Sequence, residues 1–191
     1  MPGLQARKSV AAGPTPVKLP QLVTSKTGAP PMPRVASALA LRFQQICTTM
    51  IAEALAGEAI VQFEYGTLVF LEIEPGIDQQ RLSEALGIDP SHVSLVVERL
   101  HSMGLIERQV DESDRRARKL YLTASGKALW RRLRPKTSAA NERVLNPLTP
   151  RERQQFLDLL IRIIDGNRAY ARPGAGRRKR GSLQSVANNK K

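Results

Sequence analysis

The chain has 191 residues, a formal net charge of +13 at pH 7, 41% hydrophobic residues and only 4% aromatic ones. That length suits one domain with tails, and a core of Leu, Ile, Val and Ala with few aromatics favours packed helices. The single cysteine, Cys47, excludes a disulfide framework and a CxxC metal site, no apolar run approaches the length of a membrane span, and Met1–Pro20 lacks the apolar stretch of a signal peptide.

Residues 1–33 are rich in proline and glycine, lack apolar periodicity and read as a disordered tail. With Arg34 they carry five basic residues and no acid. Leu39, Phe43, Ile46, Met50 and Ala54 then recur at three- and four-residue spacing, which predicts an amphipathic helix over 35–57. Tyr65, Leu68 and Leu71 mark a second helix that ends before Pro75-Gly76. Asp78 is a candidate N-cap for a short third helix carrying Leu82 and Leu86 and closed by Gly87. Asp89 caps a fourth, with Pro90 in its first position and Val93, Val96, Val97, Leu100 and Met103 on one face. Two strand-like segments, 105–110 and 119–123, enclose the charged loop 111–118. Helix resumes to about residue 145, with an interruption or kink expected at Pro135. Thr149-Pro150-Arg151-Glu152 is a capping box that opens a last helix. Residues 172–191 read as a second disordered tail, and 171–191 hold seven basic residues without an acid. The middle, residues 35–170, is therefore nearly neutral, with 18 basic and 17 acidic residues, and the basic character of the protein belongs to its tails. Such tails either contact an anionic polymer, nucleic acid or membrane surface, or are solvated ends.

The third and fourth helices are separated only by Gly87, Ile88 and the Asp89 cap. A tight Gly-containing turn sets the second helix of a helix-turn-helix across the first and leaves its N-terminal turn free to enter a major groove. With Val93, Val97 and Leu100 inward, Ser91, His92, Ser94 and Leu95 face outward, where hydroxyls and an imidazole reach base edges or phosphates. Ser91 is equally suited to satisfying backbone groups of the first turn, and His92 to facing solvent. The hairpin tip gathers Asp114, Arg115, Arg116, Arg118 and Lys119. An arginine on a narrow ribbon suits the negative potential of a narrow minor groove, and Asp114 suits bracing a neighbouring guanidinium. Alone, such a loop reads as a solvated hairpin; its place after a helix-turn-helix gives it a role.

Gly104-Leu105-Ile106-Glu107-Arg108, Asp114-Arg115-Arg116, and Leu120-Tyr121-Leu122-Thr123 with Gly126 together resemble the signature of the MarR family of regulators. Leu82-Ser83-Glu84-Ala85-Leu86-Gly87 and Leu148-Thr149-Pro150-Arg151-Glu152-Arg153 are similar to its third-helix and last-helix segments. The likeness spans about residues 35–168. It implies a mainly α fold with a small β-hairpin wing: a winged helix-turn-helix lobe over about 61–123 and a helical dimerisation layer from 35–57 and 124–168. It also implies a triangular homodimer on double-stranded DNA, with recognition helices in successive major grooves and Arg115 or Arg116 in the minor groove. A cavity for an aromatic or anionic effector is implied too, with Arg42, Phe43 and Tyr65 as candidate walls. One departure is Leu95, which stands where many members carry arginine. Leucine makes no bidentate contact to guanine, which leaves Arg99 as the candidate for a phosphate or Leu95 for a thymine methyl.

Cys47 sits mid-helix with no basic neighbour within four residues, so it reads as a small apolar residue rather than a redox sensor. His92 and His101 are too far apart to share ligand spacing, and no metal or cofactor site is expected. No Gly-rich phosphate loop, Gly-x-Ser-x-Gly elbow or His-Glu-x-x-His run supports an enzyme. The expectation is a cytoplasmic, nucleoid-associated transcription regulator, a ligand-responsive repressor. The alternative is a non-specific architectural or RNA-associated protein, and a membrane-surface protein ranks last because no basic amphipathic helix has aromatic anchors.

Overall fold

The computed structural model describes residues 22–23, 28, 31–110 and 118–170. The chain divides into two compact units, residues 1–45 and 46–191. In the first, β1 (Leu22–Val23) pairs antiparallel with β2 (Met32–Pro33), Leu22 opposite Pro33. The reading of 1–33 as an unstructured tail thus fails at these few residues. A two-residue pairing has no periodicity to announce it, and Pro33 is tolerated because so short a ladder is all edge. Helix α1 (Ala36–Ala54) follows and runs on into the second unit.

The second unit contains α2 (Gln62–Ile73), β3 (Ile77–Asp78), α3 (Gln79–Leu86), α4 (Pro90–Ser102), β4 (Ile106–Val110), β5 (Arg118–Leu122), α5 (Ala124–Val144) and α6 (Pro150–Gly166). Local chemistry sets the helix ends. The carboxylates of Asp78 and Asp89 accept the N–H groups of Arg81 and Ser91 at 2.8 and 2.9 Å. Thr123 accepts from the Gly126 N–H at 3.1 Å, and Thr149 and Glu152 form the full capping box expected. Gly87 ends α3 in the left-handed region, φ 65°, where a side chain would be strained.

The three strands form one antiparallel sheet in the order β3-β5-β4, with Ile77 opposite Leu120 and Arg108 opposite Leu120 on its other side. Strand β3 has no counterpart in the sequence reading, again because two residues carry no alternation. Leu68, Leu82, Val93, Val97, Leu100 and Leu120 are completely covered and join α2, α3, α4 and the sheet into one core. Each such leucine contributes about 1.5–3 kcal/mol of transfer free energy.

Contrary to the expected interruption, α5 is a single helix through Pro135. Proline has no N–H for the Arg131 carbonyl, but the covered face of α5 holds the helix on the core: Leu133 and Thr137 are 0% and 1% exposed. The Thr137 hydroxyl lies 2.6 Å from the Tyr65 hydroxyl and within 3.2 Å of the Leu133 and Arg134 carbonyls. Helix α6 has no buried residue at all.

Candidate nucleic-acid interface

The turn between α3 and α4 is locked from inside. The buried Ser83 hydroxyl donates to the Ile88 carbonyl at 2.7 Å, and the Ile88 N–H returns to Ser83 at 3.3 Å. This fixes α4 across α3 and seals Val93, Val96, Val97 and Leu100 into the core. The opposite face of its first two turns, Ser91, His92, Ser94 and Leu95, is exposed. Leu95 is the most prominent, 71% exposed and apolar.

The side chains on that face differ in their freedom. Ser91 donates its hydroxyl to Asp89, so it serves the cap. Ser94 donates to the Pro90 carbonyl at 3.0 Å and lies 3.4 Å from the Gln79 side chain of α3. The His92 ring meets Phe63 of α2 edge-on, 5.2 Å between centroids. Arg99 is turned to its own lobe: Nε is 2.9 Å from the Glu64 carboxylate and Nη2 donates to the Ala59 carbonyl at 3.1 Å. A phosphate contact by Arg99 would have to share this guanidinium.

The hairpin keeps strict register up to Val110 opposite Arg118. Arg118 opens β5 with an exposed side chain. Asp114, Arg115 and Arg116, read as brace and wing arginines, lie outside the described residues, as do the basic runs near both chain ends. Arg108 joins β4 to α4 through Glu98 at 2.6 Å.

The three candidate effector residues differ in their surroundings. Tyr65 is buried with its hydroxyl on Thr137, and Arg42 is exposed and 3.5 Å from the Gln45 side chain. Phe43 is half-buried. Burial pushes the Cys47 thiol up from its ordinary value, the opposite of activation. Among the described residues no cluster of His, Cys, Asp and Glu could hold a metal, and no helix is long and apolar enough to cross a membrane.

Sequence reasoning missed two acids. Glu64 falls on the apolar stripe of α2 with Leu68 and Leu71, an anomaly that signals a buried partner. Its side chain is 4% exposed and accepts from the Val61 N–H at 2.8 Å as well as from Arg99. Glu58 accepts both terminal nitrogens of Arg132, at 2.8 and 2.7 Å, and Lys136 at 3.3 Å. The hydrogen bonds from Arg132 hold its carboxyl below the usual glutamate value; partial desolvation opposes this and Lys136 adds to it.

Helix α3, the turn, helix α4 and the β4–β5 ribbon define a winged helix-turn-helix protein. Residues 61–117 match the model of the MarR family. The PcaV transcriptional regulator of Streptomyces coelicolor, solved with its natural ligand, is 33% identical with a TM-score of 0.62, over 69% of this chain and 93% of that one. CouR of Rhodococcus jostii RHA1, solved with p-coumaroyl-CoA, is 25% identical with a TM-score of 0.62, over 68% and 92%. The HTH-type transcriptional repressor Rv2887 of Mycobacterium tuberculosis is 27% identical over 113 residues, 59% of this chain and 81% of the relative. The chain belongs to the MarR family of transcriptional regulators.

Proposed function

We propose that the protein is a sequence-specific regulator that binds duplex DNA as a homodimer and is released from it by a small aromatic or anionic effector. The observation that carries this reading is α4: its inner face is sealed, and its first two turns present Ser91, His92, Ser94 and Leu95 on a capped, rigid helix. That is the geometry that inserts side chains into a major groove. Leu95 reads a thymine methyl rather than a guanine. Arg115, Arg116 and Arg118, braced by Asp114, serve the flanking minor groove, and the basic tails add counterion release without sequence preference.

The homodimer accounts for α6. Leu157, Leu159, Ile161, Ile163 and Ile164 are 40–62% exposed and, with Phe156 and Leu160, cover more than half the helix circumference. A helix facing one core needs a stripe of only about 100°. A second copy, interlocking α1 and α6, is the partner that covers the excess. Effector control is supported by relatives solved with small ligands. An effector using the Tyr65 hydroxyl must take it from Thr137, which would loosen α2 from α5. The protein acts in the cytoplasm, on the nucleoid, as a binding protein rather than an enzyme.

The test is retention of the intergenic duplex beside its own gene by full-length protein in excess random duplex. Retention supports a sequence-specific regulator. Equal competition by random DNA leaves the architectural reading instead.

A further inference from the structure

The short loop between α1 and α2 lies between two helices that do different work. Glu58 and Ala59 are consecutive. The side chain of Glu58 is gripped by Arg132 and Lys136 of α5, and the carbonyl of Ala59 by Arg99 of α4. Arg99 holds the next part of the same segment as well, through Glu64, which caps the N–H of Val61. One planar peptide bond therefore separates the anchor of α5 from the anchor of the recognition helix.

One residue of this loop is sealed into the core. Ile60, beside both anchors, is 2% exposed in the core, and the Glu58 N–H donates to the Leu55 carbonyl at 3.0 Å. The acids are the covered partners: the Glu64 and Glu58 side chains are 4% and 12% exposed, against 57% for Arg99 and 56% for Arg132. A covered carboxylate cannot exchange its guanidinium for bulk water without losing its partner in a poorly solvated site. Both guanidinium groups use more than one nitrogen: Arg99 its Nε and Nη2, Arg132 both terminal nitrogens.

We propose that Glu58 and Arg99 are positioning residues for DNA recognition, and that the segment 58–64 is a bridge by which α5 sets the angle of α4. This deepens the proposed function and rests on α4 being the helix that reads DNA. Helix α5 leads to α6, whose exposed apolar arc is the surface proposed above for the second copy, so the bridge would be a route from that layer to the exposed turns at Ser91 and Leu95. Neither residue touches DNA in this role; each acts through the helix it holds.

The test uses full-length protein and the variants Arg132→Met, Glu58→Gln, Arg99→Met and the Arg99→Met/Arg132→Met pair. Affinity is measured on the operator and on operators with half-sites one base pair closer or farther. Arg99 and Arg132 do not share a contact, so independent effects would multiply. The bridge predicts that the double variant departs from the product by about fivefold or more, the coupling of residues in one network. It also predicts that Arg132→Met and Glu58→Gln lose most of their discrimination between half-site spacings, which uniform destabilisation would not cause. Multiplicative effects within about twofold with unchanged spacing preference overturn it. Amide exchange on DNA-free Arg132→Met provides an arm independent of the functional reading. Faster exchange across residues 58–64 and the second half of α4 supports the bridge, and a change confined to α5 overturns it. Failure of the wild type to bind any duplex would instead sink the functional reading and, with it, the role in recognition.

Discussion

Gly126 lies in the first turn of α5, and its replacement by alanine tests how tightly the hairpin and α5 are joined. In most helices Gly→Ala stabilises by up to about 1 kcal/mol. Here a Cβ would stand 2.0 Å from the Leu105 carbonyl oxygen and 3.0 Å from its carbon. The oxygen cannot withdraw freely, because it accepts the Thr123 N–H at 3.1 Å, while Thr123 donates its hydroxyl to the Gly104 carbonyl at 2.7 Å. Relief therefore requires α5 to lift by over an ångström and to strain both bonds, each worth about 1 kcal/mol, on top of a packing cost of about 1–3 kcal/mol. Net of the helix gain, Gly126→Ala should destabilise by about 2–4 kcal/mol, or roughly 4–16 °C in melting temperature for a chain of this size. Gly166→Ala is the internal control, since a Cβ there meets nothing within 4 Å. Calorimetry and urea titration of both variants are the assay. A neutral or stabilised Gly126→Ala would refute the reasoning.

Light scattering under reducing conditions should give about 42 kDa, twice the 21.1 kDa chain, and Ile161→Lys with Ile164→Lys should shift it toward monomer. Arg115→Ala with Arg116→Ala should weaken operator binding by about 1–3 kcal/mol, more on A·T-rich flanks, in fluorescence anisotropy. Tyr65→Phe should cost about 0.5–1.5 kcal/mol in urea denaturation, because Thr137 keeps a carbonyl acceptor. The Glu58 carboxyl is held below its ordinary value of 4.5, so its stabilisation is complete above that pH and disappears as pH falls through the lower folded value. The stability difference between wild type and Glu58→Gln should therefore be constant near neutrality and shrink below about pH 4.5.

The helices were legible because local chemistry wrote them. Asp78, Asp89, Thr123 and Thr149 each accept a backbone N–H at a helix start, and the apolar spacing of Val93, Val96, Val97 and Leu100 named the sealed face of α4. The exposed face followed by subtraction. What local pattern could not supply is pairing over distance. Strand β3 exists only because Ile77 meets Leu120, and the α5 proline is tolerated in a helix whose covered face is anchored at Leu133 and Thr137.

The same limit applies to the site, and Arg99 makes the point. Read along the chain, it is a basic residue one turn beyond the exposed face, suited to a phosphate. In the structure its guanidinium is engaged by Glu64 and Ala59, thirty-five and forty residues earlier in the chain. Periodicity tells which residues leave the core; it does not tell which acid waits at the rim. The one local trace of that partnership was Glu64 on an otherwise apolar stripe, since a carboxylate is carried into a core only where something compensates it. A charged residue that breaks the pattern of its helix is therefore the place to look for a tertiary link, and here that link joins α4 to the loop that α5 also holds.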